Sequence, residues 1–413
     1  MNRITKTVLG MAGGIMLFGG QAMATDCEVT HWWTSGGEAA AVAEFAKAFD
    51  ATGNKWVDNA IAGGGPTARP IFISRITGGD PMCATQFNHG RQTEELVEAG
   101  LMLDLTDIAE AEKWRDVIGD PRLLDACTID GKVYCVPINI HSWYWLWLSN
   151  KAFEDAGVAV PTNWDEFVAA GPALKAAGKI PMAVGQQPWQ INGAFTVMLG
   201  SIGGIDLWKK MIVDKDPEAV RSPEAGKIFQ AFADARTLSE GSTVGDWNLA
   251  TAMVINGDAG GQIMGDWAQG DFQLAGKKAG VDYSCLPGLG MSDMVSTDGD
   301  AFYFPVNADP EVTKVQKLLA SLMFSKEVQV AFNTAKGSMP IRTDVDVSGA
   351  NECMAKGLAI LGGAGSIIQS NNLYLTEDTT RQLEEVMVEA WNDKTIDAAT
   401  IQERYAEIIA AAD

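Results

Sequence analysis

The stretch CTIDGKVYCVPINIHSWYWLWL, residues 127–148, sets the architecture. Asp130-Gly131 is a strong hairpin signal, because a two-residue turn needs left-handed backbone that Asp and Gly tolerate. Cys127 and Cys135 flank that turn at a spacing suited to a cross-strand disulfide. VYCVPINI (133–140) continues as an apolar run. SWYWLWL (142–148) places bulky side chains at nearly every position, which fits a strand covered on both faces. A sheet covered on both faces calls for helices on either side, hence an α/β chain.

Working outward, residues 28–33 read as a strand running into WWTSGGE (32–38). Ser35 and Glu38 have the spacing of a capping box, and Val42, Phe45 and Phe49 recur on one side of the helix that follows. RPIFISRI (69–76) and CATQFN (83–88) read as short apolar runs alternating with helical patterns, followed by a helix over 91–99. Further helices are expected from Lys151 to Gly157 and from near Thr162. Residues 185–284 read as helical pieces with glycine-rich joints. Asp309-Pro310-Glu311 places a capping residue, a proline and an acid at a helix start. Val312, Val315, Leu319 and Leu322 are its expected buried side, and late helices are expected over 377–391 and 398–411.

The first residues carry Arg3 and Lys6, then an apolar Val8–Phe18 run, then Ala22-Met23-Ala24. That order is expected to be a signal peptide over 1–24, removed after Ala24 and leaving a mature chain of 389 residues without a membrane anchor. Removal would take the net charge from −22 to −24, since Arg3 and Lys6 leave and no acid does. Such a surface repels nucleic acid and anionic lipid, so neither is expected as a partner. Six cysteines in an oxidising compartment favour disulfides. Beside 127–135, the pairings 27–83 and 285–353 are preferred because each would staple neighbouring segments, with the other combinations left open. No Cys-x-x-Cys occurs and His31, His89 and His141 are widely spaced, so neither zinc nor another cofactor is expected.

Thirteen tryptophans are more than a core normally requires. Trp32 and Trp33 precede TSGGE, Trp247 sits in GDWNLA and Trp267 in GDWAQG, all in polar, glycine-bordered settings. A pyranose offers apolar C–H faces to tryptophan and a rim of hydroxyls to acids, amides and amines. Each candidate also has an ordinary explanation. Glu38 is a capping-box acid, Asp298 and Asp300 are turn residues, Lys336 in TAKGSMPIR is a solvated lysine, and a lone tryptophan is usually structural. His89, before Gly90 at a helix start, is a further candidate.

HWWTSGGE, QFNHGRQ, GKVYCVPINIH, LSNKAFEDAGVAVPTNWDEF, IMGDWAQGDF and AKGSMPIR, in that order, resemble the solute-binding proteins of bacterial ABC importers. The resemblance is to the periplasmic glucose/mannose-binding branch of the extracellular sugar-binding family and spans nearly all the mature chain. It implies a two-lobed periplasmic-binding-protein fold of α/β class with a ligand cleft and several interlobe crossings. Lobe one would hold 26–138 and 285–335, and lobe two 139–284 and 336–413. It implies a monomeric periplasmic carrier that delivers a monosaccharide or small glucoside to an importer permease by hinge closure. Trp32, Trp33, Glu38, His89, Trp247, Trp267, Asp300 and Lys336 match sugar-site positions of that branch. Asp298 stands where an asparagine is expected and Gln369 where a histidine is expected, and both are carried as ligand-binding candidates. Trp33 and Lys336 are both expected outside the lobe cores. The competing class is a secreted glycoside hydrolase using Glu38 and Asp300 as its carboxyl pair.

Overall fold

In the computed structural model, which describes residues 25–412, two α/β lobes each enclose their own sheet. The leader expected over 1–24 lies outside the described residues. In lobe one, five strands run in the order Lys55–Ala60, Asp26–His31, Ala84–Asn88, Asp300–Tyr303, Cys135–Pro137. The first three are parallel, and Asp300–Tyr303 is antiparallel to both neighbours, so the late segment enters the sheet from the opposite end. Phe45, Phe49, Phe72, Phe87, Phe302 and Phe332 fill its core.

Lobe two is built on four strands in the order Tyr283–Pro287, Trp145–Ser149, Ala259–Ile263, Ile180–Met182. Every residue of Trp145–Ser149 is buried, as the unbroken bulk of SWYWLWL predicts. Separate apolar clusters cover the two faces of this sheet: one centred on Phe195, Phe229 and Tyr405, the other on Trp147, Trp267 and Phe272. A small parallel pair, Met294–Thr297 with Ser366–Gln369, adjoins this lobe.

The local chemistry works as read at several points. Asp130 (φ 50°) and Gly131 (φ 76°) form the tight turn between Thr128–Ile129 and Lys132–Val133. All three disulfides form as expected: 27–83, 127–135 and 285–353. Ser35 and Glu38 close a complete capping box on helix Gly36–Asp50. Asp309 caps helix Pro310–Phe324, on which Val315 and Leu319 are buried and Val312 and Leu322 are partly so.

Other readings are corrected. RPIFISRI lies in helix Gly64–Thr77, whose buried Ala68, Phe72 and Ile76 recur every fourth residue; the run of apolar residues hid that helical period. The helical reading of 185–284 misses strand Ala259–Ile263, whose glycines disguise it. The lobe boundary also moves. Tyr283–Pro287 pairs antiparallel with Trp145–Ser149, and Leu289 and Met294 join the lobe-two core, so residues 283–297 belong to lobe two. Conversely, Met339 and Ile341 pack into lobe one. Among the described residues no helix is long and apolar enough to cross a membrane.

Candidate functional site

The lobes are joined by crossing segments that hydrogen-bond to one another. Ile138 N donates to Asp300 O at 2.9 Å, His141 N to Asp298 O at 2.9 Å, and Ile140 N to Met339 O at 2.8 Å. Side chains leaving these crossings therefore have fixed positions at the floor of a cleft of about 630 Å³ between the lobes.

Lys336 is the last residue of helix Lys326–Lys336, which stops because Gly337 turns left-handed at φ 87°. A Cβ at Gly337 would also stand 2.8 Å from the Asp266 carbonyl oxygen. The Lys336 ammonium is 1% exposed, donates to Glu38 Oε1 at 2.6 Å, and lies 5.4 Å from the centre of the Trp33 ring. Glu38 Oε2 accepts from the backbone N–H groups of Thr34 and Ser35, at 3.2 and 3.3 Å. Glu38 is thus both the capping-box acid and the partner of Lys336. The two readings of this residue are compatible because its two oxygens serve different donors.

Trp33 is 2% exposed and packs on Phe302 and Phe332 at 5.7 and 5.2 Å between ring centres. It borders the cleft yet belongs to the lobe-one core. That corrects the expectation that Trp33 and Lys336 lie outside the cores. Trp32 keeps more of its surface free at the cleft.

Asp300, buried at the start of its strand, accepts from Gln86 Nε2 at 2.7 Å and from Asn139 Nδ2 at 3.2 Å. It also meets His141 Nε2, while His141 Nδ1 lies 3.1 Å from Asp266 Oδ1. Burial opposes a charge on His141, but Asp300 and Asp266 outweigh it and hold the imidazole's pKa up to about 9. Burial likewise pushes the Asp300 carboxyl up, and the charged His141 more than reverses this, leaving it below its ordinary value. Asp298 also borders the cleft. Burial raises its pKa, with Ser370 and Ser296 hydrogen bonds partly opposing.

Lobe two supplies an aromatic wall. Trp267 meets Trp143 edge to face at 4.7 Å, Trp247 edge to face at 6.5 Å and Trp189 tilted at 6.4 Å. Gly265 makes room for this arrangement, because a Cβ there would lie 2.0 Å from the Trp267 ring. Trp247 opens helix Trp247–Asn256, with Asp246 as its cap. Gln369, at the end of its strand, lines the cleft and accepts from the Tyr374 hydroxyl.

Nine of the ten candidates therefore border one cleft. His89 does not. It is buried where a Cβ on Gly299 would lie 2.5 Å from its ring, and neither ring nitrogen has a hydrogen-bond partner among the described residues. Burial holds its pKa down to about 4, so it stays neutral. Sequence reasoning missed His141, Trp143 and Trp189. His141 and Trp143 begin the aromatic stretch whose bulk signals a strand, and Trp189 follows a proline in the joint GQQPWQ (185–190), a glycine-bordered setting like that of Trp267.

Residues 33–329 match the family described as bacterial extracellular solute-binding protein. A probable sugar-binding periplasmic protein of Brucella melitensis is 38% identical over 375 residues, covering 89% of this chain and 88% of that protein. A protein of the same description from Rhizobium meliloti is 36% identical, covering 83% and 82%. The xylose/arabinose-binding protein XacG of Haloferax volcanii is 26% identical, covering 81% and 74%. Among solved structures, a chitin oligosaccharide binding protein superposes with a TM-score of 0.75 at 18% identity, over 94% of this chain and 99% of that one.

Proposed function

Because this chain belongs to the bacterial extracellular solute-binding protein family, we propose that it captures a neutral sugar in the periplasm and hands it to an ABC importer. The observation that carries this reading is the meeting of two kinds of wall in one cleft. Lobe one offers the hydroxyl-binding groups Glu38, Asp300 and Lys336, and lobe two offers the faces of Trp143, Trp189, Trp247 and Trp267. Tryptophan area covers the C–H faces of a pyranose while fixed charged groups take its hydroxyls. A monosaccharide or small glucoside of the glucose/mannose type suits these walls. The names of the Brucella and Rhizobium relatives support a sugar as the solute. On this reading the carrier acts as a monomer. Hinge closure is favoured to the extent that the sugar contacts the closed form better than the open one.

A glycosidase needs one carboxyl that keeps its proton. Asp300 is held ionised by His141, and both oxygens of Glu38 accept hydrogen bonds, so this pair suits binding rather than acid catalysis. Calorimetry on protein stripped of carried-over ligand, titrated with glucose, mannose, galactose and xylose, tests the reading. Stoichiometric binding without hydrolysis is expected. Turnover of a glucoside, or no heat with any sugar, would sink it.

A further inference from the structure

At about 630 Å³ the cleft falls in the middle of the range, roughly 300–1,000 Å³, of sites that enclose drug-sized ligands. A single pyranose is considerably smaller. The lining also divides into two poles. The inner pole surrounds the crossings and holds Glu38, His141, Asp298, Asp300 and Lys336. The outer one runs along helix Glu377–Asn392 and the start of helix Gly64–Thr77.

At the outer pole Arg69 of lobe one donates to Glu377 Oε1 of lobe two at 2.7 Å. Trp32, Trp189 and Arg69 converge on Gly64 and Gly65. A Cβ on Gly64 would lie 3.2 Å from the Trp189 indole nitrogen, and one on Gly65 would lie 2.3 Å from the Arg69 guanidinium and 3.5 Å from Trp32. Aromatic area and a guanidinium thus stand together.

Glu384 completes this pole. Its carboxyl lines the cleft and makes no hydrogen bond or ion pair with any described residue, whereas Glu38, Asp246, Asp300, Glu377 and Asp378 each accept at least one hydrogen bond. Burial raises its pKa to about 7, with Arg69 opposing and Glu377 adding. Glu384 is half-buried, and a carboxyl at the cleft wall with no protein partner is free to meet a ligand hydroxyl.

We infer that Glu384, Arg69, Trp32 and Trp189 form a second subsite for a further sugar unit, linked to the one at the inner pole. The ligand is then disaccharide-sized. This rests on the sugar reading above and extends it along the cleft.

Calorimetry with glucose, mannose and the disaccharides maltose, cellobiose, lactose and sucrose tests the subsite on the full mature chain. At least one disaccharide is expected to bind tenfold or more tighter than the free monosaccharides. E384A is expected to weaken that disaccharide about tenfold and the monosaccharides less than twofold, with a urea midpoint no lower than the parent's. Monosaccharide binding with no disaccharide preferred would overturn the subsite and leave the inner site standing. Equal losses for both ligand lengths in folded E384A would also overturn it. Binding of no sugar of either length would sink both readings.

Discussion

Lobe one meets the cleft with a charge pair built into its core, and lobe two meets it with tryptophans packed edge to face. Lys336 and Glu38 come from the same lobe, 298 residues apart, and their pairing does not depend on closure. Trp143 and Trp189 are partly exposed and owe their positions to one another and to Trp267. Lobe one is therefore preorganised and costly to alter at Trp33, Glu38, Asp300 and Lys336, because each of these groups is buried and also structural. In lobe two, Trp143 and Trp189 carry binding area that is less tied to the fold, whereas Trp247 and Trp267 are buried in its core. Spanning them, His141 links Asp266 of lobe two to Asp300 of lobe one.

The widest separation between the lobes should appear with Trp33 and Lys336. W33A removes a core side chain and is expected to cost ~3–5 kcal/mol of stability. K336A leaves Glu38 buried without its partner and is expected to cost a similar ~3–5 kcal/mol. Both should lose sugar binding. Urea midpoints beside calorimetry check this, and an unchanged midpoint in either variant would show that lobe one is no more committed than lobe two.

His141 supplies a pH test of the span between them. Its folded pKa, about 9, lies above the ordinary value near 6.5, so its contribution is full below about pH 6.5 and is lost as pH rises through about 9. A shift of that size corresponds to ~3 kcal/mol. Glu384 and Asp271, raised to about 7 and about 6 by burial, also cost stability as they ionise, but their effect is complete near neutrality. Urea midpoints should therefore fall between pH 7.5 and 10 in the parent and stay nearly level in H141Q. Parallel profiles would remove the imidazole bridge.

In lobe two, W143A should lose roughly 1.5–3 kcal/mol of sugar affinity from unburied area, with a smaller loss of stability than W33A. If W143A unfolds as readily as W33A, the contrast between the walls fails. The smallest effect is expected at the mouth. The Arg69–Glu377 pair leaves Glu377 62% exposed, so E377Q should change stability by less than ~1 kcal/mol, and less still in high salt. A larger loss in thermal or urea unfolding would mean that the interlobe pair acts as a latch.

Much of this arrangement is legible in the chain order. The Asp130-Gly131 turn, the Ser35/Glu38 capping box, the Asp309-Pro310 helix start and the all-buried Trp145–Ser149 strand depend on neighbours a few residues apart. Local sequence specifies them for that reason. RPIFISRI reads as a short apolar run because apolar residues crowd a helix whose buried period is four. Strand Ala259–Ile263 is hidden in the sequence because two of its five residues are glycines, which carry no side-chain pattern.

The site divides along the same line. Residue types and their glycine-bordered settings nominate Trp32, Glu38, Trp267 and Lys336, since sugar chemistry needs those groups wherever they fold. The tertiary structure decides what each one touches. It ties Glu38 to Lys336, sinks Trp33 into a core, and buries His89 outside the cleft lining. It also brings His141 between two carboxylates 125 and 159 residues away and assigns residues 283–297 to lobe two. Capping and turn formation are settled by bonds within one stretch of chain. Charge pairing and burial depend on distances between segments, which exist only once the crossings have brought the lobes together.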